Sequence, residues 1–283
     1  MHTIEKYTNK QSRFMKMNQM MVHYRDEGKG EVILLIHGAC SSLHTFEDWT
    51  NKLKRKYRVI RLDLPGFGLT GPTKNGRYTL NTYMRFLKKF QDNLGVESCH
   101  YAGSSLGGWM AWEYAVKYPK RVNKLILIGA AGCFIDQRIP LPFIIARTPF
   151  VSRVMQVVTP RTLVARFVRE VFGDKEKVKE EMIDRYYDMV TRRGNREAFV
   201  ALANTKYEIH FDRIKEIKHK TLIMWGEMDN WVTVKNALAF ENELPDSELI
   251  IYEGVGHIPM EEIPEKSVRD LMKFLLNGKN AKK

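Results

Sequence analysis

The residues most able to do chemistry begin with a serine in a glycine-framed turn. Gly103-Ser104-Ser105-Leu106-Gly107 has the form G-x-S-x-G, follows the short apolar stretch His100–Gly103, and opens a helical pattern over Leu106–Tyr118. A sharp strand-to-helix turn holds its central residue in a strained backbone conformation, and small neighbours two positions away on each side let the chain pass. The hydroxyl is then presented at a helix N-terminus, where free N–H groups and the helix dipole favour negative charge. A serine is a poor nucleophile near neutral pH and needs a base, usually a histidine oriented by a carboxylate. Two later segments supply both: Gly226-Glu227-Met228-Asp229 and Gly254-Val255-Gly256-His257 each follow an apolar run. The chain order is Ser105, Asp229, His257.

Other assignments stay open at this level. The serine turn read alone could be a chance glycine-serine turn, and His257 could be a structural histidine. Glu227 competes with Asp229 as the acid, although Asp229 lies later in the turn and is preferred. Glu253 is near His257 in sequence but need not face it. Acyl transfer also needs donors for an oxyanion. The Leu106 backbone N–H is one. The second is assigned to Ala39, in the turn after Ile36-His37-Gly38, with Cys40 as the fallback; Cys40 is not expected to act as a catalytic thiol.

These residues need a frame that brings strand ends together. Val32–Ile36, Tyr57–Leu64, Val122–Ile128, Thr221–Trp225 and Glu248–Tyr252 are short apolar runs closed by turn residues, as expected of strands buried on both faces. Leu80, Tyr83, Met84, Leu87 and Leu94 recur at helical spacing before Gly95. Val268, Leu271, Met272 and Leu275 do so after Pro264. Alternating strands and helices predict a parallel α/β sheet covered on both faces. The alternation fails from about Gly132 to Lys220, where helical stretches such as Arg161–Phe172 and Lys177–Thr191 replace strands. The expected division is a core of residues 1–131 and 221–283, with a helical cap, 132–220, inserted at the ligand-binding edge.

Composition limits the alternatives. The 283 residues are 44% hydrophobic and carry 46 Lys+Arg against 33 Asp+Glu, a net charge of +13. That suits a globular enzyme and excludes wholesale disorder. The basic residues are spread along the chain with acids between them, and no nucleic-acid-binding motif is visible, so no nucleic-acid partner is expected. Cys40, Cys99 and Cys133 are too few and scattered for a disulfide frame or metal site, and are read as reduced. The opening residues hold positive charge without an apolar run or a small-residue cleavage site, and no stretch approaches the ~20 apolar residues of a membrane span. A cytoplasmic location is therefore expected. Oligomeric state is left open.

HGACSS (37–42), DLPGFG (63–68 from Asp63; Leu62 precedes), GSSLGG (103–108), GEMDNWV (226–232) and GVGHIPMEEIP (254–264) together resemble the α/β-hydrolase superfamily, in its motif order, over roughly Val22 to Leu276. The resemblance implies an eight-stranded, mostly parallel sheet with a helical cap, whose first strands are Arg13–Asn18 and Met21–Arg25. It treats Asp63 as structural. Serine at the elbow disfavours dehalogenase, epoxide-hydrolase and cysteine-nucleophile members. The turn after Ile36 lacks the glycine-rich, proline-containing stretch associated with carbon–carbon bond hydrolases of meta-cleavage pathways, which disfavours them too. The expectation is a serine hydrolase of carboxylic esters with small or medium acyl chains, needing no metal or organic cofactor. The alternatives are a carbon–carbon bond hydrolase or a cofactor-independent perhydrolase with the same triad, or a non-catalytic ligand receptor.

The cap raises one further question. Ile139–Arg169 is rich in apolar residues and holds Arg147, Arg153, Arg161, Arg166 and Arg169 with no acid before Glu170. The simpler expectation is that its helices turn their apolar face to the core and their arginines to water. The other reading is a basic amphipathic surface approaching anionic lipid or an acyl substrate. Either way, an apolar pocket is expected.

Overall fold

The computed structural model describes residues 3–17, 19–133, 135 and 139–277. A single sheet of eight strands runs in the order β1-β2-β4-β3-β5-β6-β7-β8. The strands are β1 Ser12–Met17, β2 Met20–Glu27, β3 Val32–Ile36, β4 Arg58–Leu62, β5 Cys99–Ser104, β6 Val122–Ile128, β7 Thr221–Gly226 and β8 Ser247–Tyr252. β1 and β2 pair antiparallel, as do β2 and β4; the other pairings are parallel. Asn18, the expected end of the first strand, and the tail Lys279–Lys283 lie outside the described residues. β2 is longer than the expected Met21–Arg25, and β4 stops two residues before the expected Leu64.

The central strands are apolar on both faces because each face carries its own core. Along β3, Ile33 and Leu35 pack on one side while Leu34 and Ile36 pack on the other. This two-residue period is the pleat of a strand with no solvent face. One layer holds α3 Leu80–Asn93, α4 Leu106–Lys117 and α10 Val234–Glu243; the other holds α2 Glu47–Leu53 and α12 Pro264–Leu276. Short helices α1 Thr3–Tyr7 and α11 Pro259–Glu262 complete the frame. The start of α3 is fixed by Thr79, whose hydroxyl accepts from the Thr82 amide at 3.2 Å. The start of α12 is fixed by Pro264, and Ser267 receives the Trp49 indole N–H at 2.9 Å across the layer.

Between β6 and β7 the described residues form five α-helices and no strand: α5 Leu141–Arg147, α6 Pro149–Val157, α7 Arg161–Glu170, α8 Glu180–Thr191 and α9 Asn195–Ala203. Their apolar faces do not all turn inward. Val164, Ala165 and Val168 of α7 are buried, but α6 buries only Ser152. Phe150 is 78% exposed and Val157 74%, with Val154 beside them at 48%. The expectation of an inward apolar face fails for α6. Its apolar residues recur at i, i+4 and i+7, which defines a face but not what that face meets. Among the described residues no helix is long and apolar enough to cross a membrane.

Candidate active site

The strand order changes direction between β3 and β5: β4 lies on one side of β3 and β5 on the other. Crevices outside strand carboxyl ends at such a switch point are where ligands bind in α/β sheets. Ser105 follows β5 there, with φ 53° and ψ −116°. A non-glycine residue held at positive φ stores about 1–3 kcal/mol of strain, which the surroundings must enforce. They do so through the backbone. Ser105 N–H donates to Ile128 O at 2.9 Å, and its carbonyl accepts from Trp109 N and Ala131 N, both at 3.0 Å. The flanking glycines are sterically required. A Cβ on Gly103 would lie 2.2 Å from Gly107 O, and one on Gly107 would lie 2.3 Å from Ile36 O.

Asp229 lies in the turn after β7. Its Oδ1 accepts the Trp231 and Val232 amides at 2.9 Å each, and its Oδ2 accepts from His257 Nδ1 at 2.6 Å. Both side chains are buried, as a close hydrogen-bonded pair must be to escape competition from water. With Nδ1–H committed to the carboxylate, Nε2 is the nitrogen left to take a proton. His257 and Ser105 line one cavity of about 790 Å³. No hydrogen bond links Ser105 Oγ to the imidazole in this structure; such contacts in empty sites commonly tighten only around substrate. The rival acids are elsewhere. Glu227 is exposed and accepts from Gly254 N–H at 3.0 Å, and Glu253 is exposed.

Ala39 and Leu106 also line the cavity. Neither amide donates to another described residue, which leaves both N–H groups available. The turn after β3 backs closely on the serine: a Cβ on Gly38 would lie 3.0 Å from Ser105 Cβ. That turn is tied down by Asp63 and His37. Asp63 Oδ1 accepts Leu43 N–H and its Oδ2 accepts Leu69 N–H, each at 2.7 Å, while His23 Nδ1 lies 2.7 Å from Oδ2. Burial alone would raise the Asp63 pKa, but the hydrogen bond from His23 and the nearby imidazoles hold it below its ordinary value. His37 donates from Nδ1 to Gly38 O at 2.7 Å and accepts Leu64 N–H on Nε2 at 3.0 Å. Burial keeps it neutral by lowering its pKa. The Cys40 thiol is pushed up to about 12 by burial, so it is no thiolate nucleophile near neutral pH.

One buried carboxylate escaped the sequence reading. Glu262 accepts three backbone amides: Gly256 at 2.8 Å, Asp174 at 2.8 Å and Gly173 at 3.1 Å. It thereby fixes the residue before His257 and ties that loop to the helical insertion. The insertion contributes again where His257 N–H donates to Val171 O at 2.7 Å. The only hint in the sequence is a second acid in Met260-Glu261-Glu262, where nothing distinguishes the two. In space they diverge: Glu261 pairs with Arg185 and accepts from Tyr186 Oη at 2.9 Å, joining α8 to α11.

The cavity is lined mainly by apolar side chains from the insertion, including Phe143, Met155, Leu163, Phe167 and Phe199. Among the described residues its lining includes no Asp or Glu, and its Lys and Arg side chains are Arg147, Arg196 and Lys206, of which Arg147 and Lys206 are exposed. The arrangement can bind an apolar molecule and expose one carbonyl to a serine beside a histidine–carboxylate pair.

Comparison with known proteins agrees with this architecture. The family model described as alpha/beta hydrolase fold matches residues 31–264. A 2-hydroxy-6-oxononadienedioate/2-hydroxy-6-oxononatrienedioate hydrolase of Paraburkholderia phymatum is 31% identical over 273 residues, covering 91% of each chain. The crystal structure of a serine hydrolase involved in carbazole degradation superposes with a TM-score of 0.80 at 26% identity, over 93% of this chain and 98% of that one. A membrane phospholipase A superposes with a TM-score of 0.79 at 25% identity, over 93% and 85%. Sheet order, serine turn and full-length similarity converge: the chain belongs to the alpha/beta hydrolase fold family.

Proposed function

We propose that the protein hydrolyses a carbon–carbon bond next to a ketone, with Ser105 as nucleophile, His257 as proton carrier and Asp229 as its orienting partner. The observation that carries the reaction class is the name of the relative from Paraburkholderia phymatum, shared by its Escherichia coli counterpart at 29% identity over 261 residues. A 2-hydroxy-6-oxo-dienedioate contains no ester or amide, so a hydrolase acting on it must split a carbon–carbon bond. This revises the ester expectation. The unusual turn after β3 did not decide the matter, because an oxyanion is held by backbone N–H groups, whose positions depend on chain path more than on side chains.

The chemistry follows from the site. His257 Nε2 takes the Ser105 proton as Oγ attacks the ketone carbon, and the N–H groups of Ala39 and Leu106 hold the oxyanion. Cleavage requires the hydroxydiene to be in its keto form, its enol proton having moved to the carbon next to the ketone. The carbon–carbon bond then breaks with its electron pair moving to that carbon, which the conjugated carbonyl so formed stabilises. His257 returns the proton to that carbon. Water hydrolyses the acyl-enzyme by the reverse path, and Asp229 stabilises the imidazolium at both stages. Residues 132–220 act as a cap that supplies the apolar walls of the cavity.

A second reading, ester hydrolysis, is favoured by the scarcity of charge in the lining. A dioate needs cationic partners, and among the described residues the lining offers Arg147, Arg196 and Lys206. Both readings share the triad and differ in the leaving group. Turnover of a vinylogous 1,5-diketone acid, run beside a chain-length series of p-nitrophenyl esters, separates them. The carbon–carbon reading expects the diketone to have the higher kcat/KM; preference for the esters overturns it. Absence of Ser105 labelling by a fluorophosphonate would remove both.

A further inference from the structure

We propose that the outer face of α5 and α6 is a docking surface for an anionic lipid bilayer, lying next to the mouth of the cavity. The inference stands apart from the bond that Ser105 attacks. α6 has inverted sidedness. Ser152, Met155 and Gln156 line the cavity, whereas Phe150, Val154 and Val157 face water, followed by Val158 at 59% exposed. Ile144 of α5 and Ile139 before it are also exposed. Scattered exposed apolar residues need no explanation, but a contiguous group on neighbouring helices does.

Charge around the group chooses the occupant. Arg153 lies on α6 among the exposed apolar residues. Arg196 Nη1 donates to Val157 O at 3.0 Å, and Arg147 Nε donates to Ala203 O at 2.8 Å. Neither these arginines nor Lys206 forms an ion pair with a described residue. By contrast, Arg161, Arg166 and Arg169, farther along the insertion, are paired with Glu180, Asp184 or Glu170. From Ile139 to Arg169 the sequence contains no acid. An apolar helix face rimmed by cations that pair with no described residue matches the headgroup–acyl boundary of a bilayer, into which such a face sinks about 5–10 Å. Continuity with the site supports the same occupant. Ile139, Arg147, Lys206 and Ile209 are exposed and also line the cavity that contains Ser105, so a molecule dissolved in the bilayer meets the opening directly.

The test is flotation of the full chain with vesicles of phosphatidylcholine alone and of phosphatidylcholine mixed with phosphatidylglycerol, at low and high salt. Co-flotation with the mixed vesicles, weakened by salt, is expected. Arg153→Glu should lower the apparent affinity for mixed vesicles by at least roughly fivefold, the effect of about one cation at an anionic surface. Phe150→Asp combined with Val157→Asp should abolish flotation while leaving the thermal midpoint and turnover of a water-soluble substrate unchanged. None of these three side chains lines the cavity, and the two apolar ones are largely exposed. Equal recovery with both vesicle types, or no recovery with either, overturns the proposal. So does a dimer in light scattering that the double variant converts to monomer, since the face would then cover a second copy.

Discussion

The two helices that bracket the Ser105 cavity treat apolar side chains in opposite ways. α4 beneath it buries every residue from Leu106 to Ala115, including Trp109 and Trp112. α6 above it buries Ser152 alone and presents Phe150 and Val157 to water. Burial of a large side chain is worth about 1.5–3 kcal/mol relative to exposure. α4 therefore belongs to the folding energy of the protein, while the apolar residues of α6 add little to it. Stability does not account for Phe150; the docking surface proposed above gives it a use.

Four measurements would break or sharpen that contrast. Ser105→Ala should reduce kcat by about 10⁴–10⁶ while barely moving the thermal midpoint, because the hydroxyl makes no hydrogen bond that supports the fold; activity within tenfold of wild type would remove the nucleophile. Asp229→Asn should cost about 10⁴ in kcat through loss of the correct imidazole tautomer. Trp112→Ala should lower unfolding free energy by about 3–5 kcal/mol, against no more than about 0.5 for Phe150→Ala, both read from urea melts; equal losses would erase the distinction between the helices. The smallest effect is a pH slope. Burial lowers the His44 pKa from 6.5 to about 4, with Asp63 raising it and Arg25 and Arg185 lowering it. The unfolded chain then binds a proton that the folded chain refuses, so stability falls as pH drops from about 6.5 toward about 4. His44→Asn should flatten this part of the urea-midpoint profile; an unchanged slope would assign it to other groups.

The serine turn and both later polar turns were legible because each sits at the end of an apolar run, and Gly103, Gly107, Gly226 and Gly256 stand where no Cβ fits. The helical character of the insertion was legible for the converse reason, the absence of buried runs. What sequence could not show is where a side chain meets a distant backbone. Glu262 takes amides from residues 173, 174 and 256, and no periodicity records a bond across that many positions. The outward turn of α6 was hidden because Phe150, Val154 and Val157 have the same spacing whether they meet a core or a solvent boundary. The choice between ester and carbon–carbon cleavage was not legible for another reason: leaving-group identity is a property of the substrate, and the proposed triad is the same for either.

The bond from His257 N–H to Val171 O joins the triad to the insertion, since Val171 caps the C-terminal end of α7. A swing of α7 large enough to admit a bulky guest would pull on the backbone that aims the imidazole. The wall of the chamber and the carrier of the proton thus hang on one peptide-to-peptide tether, and a substitution that loosens the end of α7 should disturb both together.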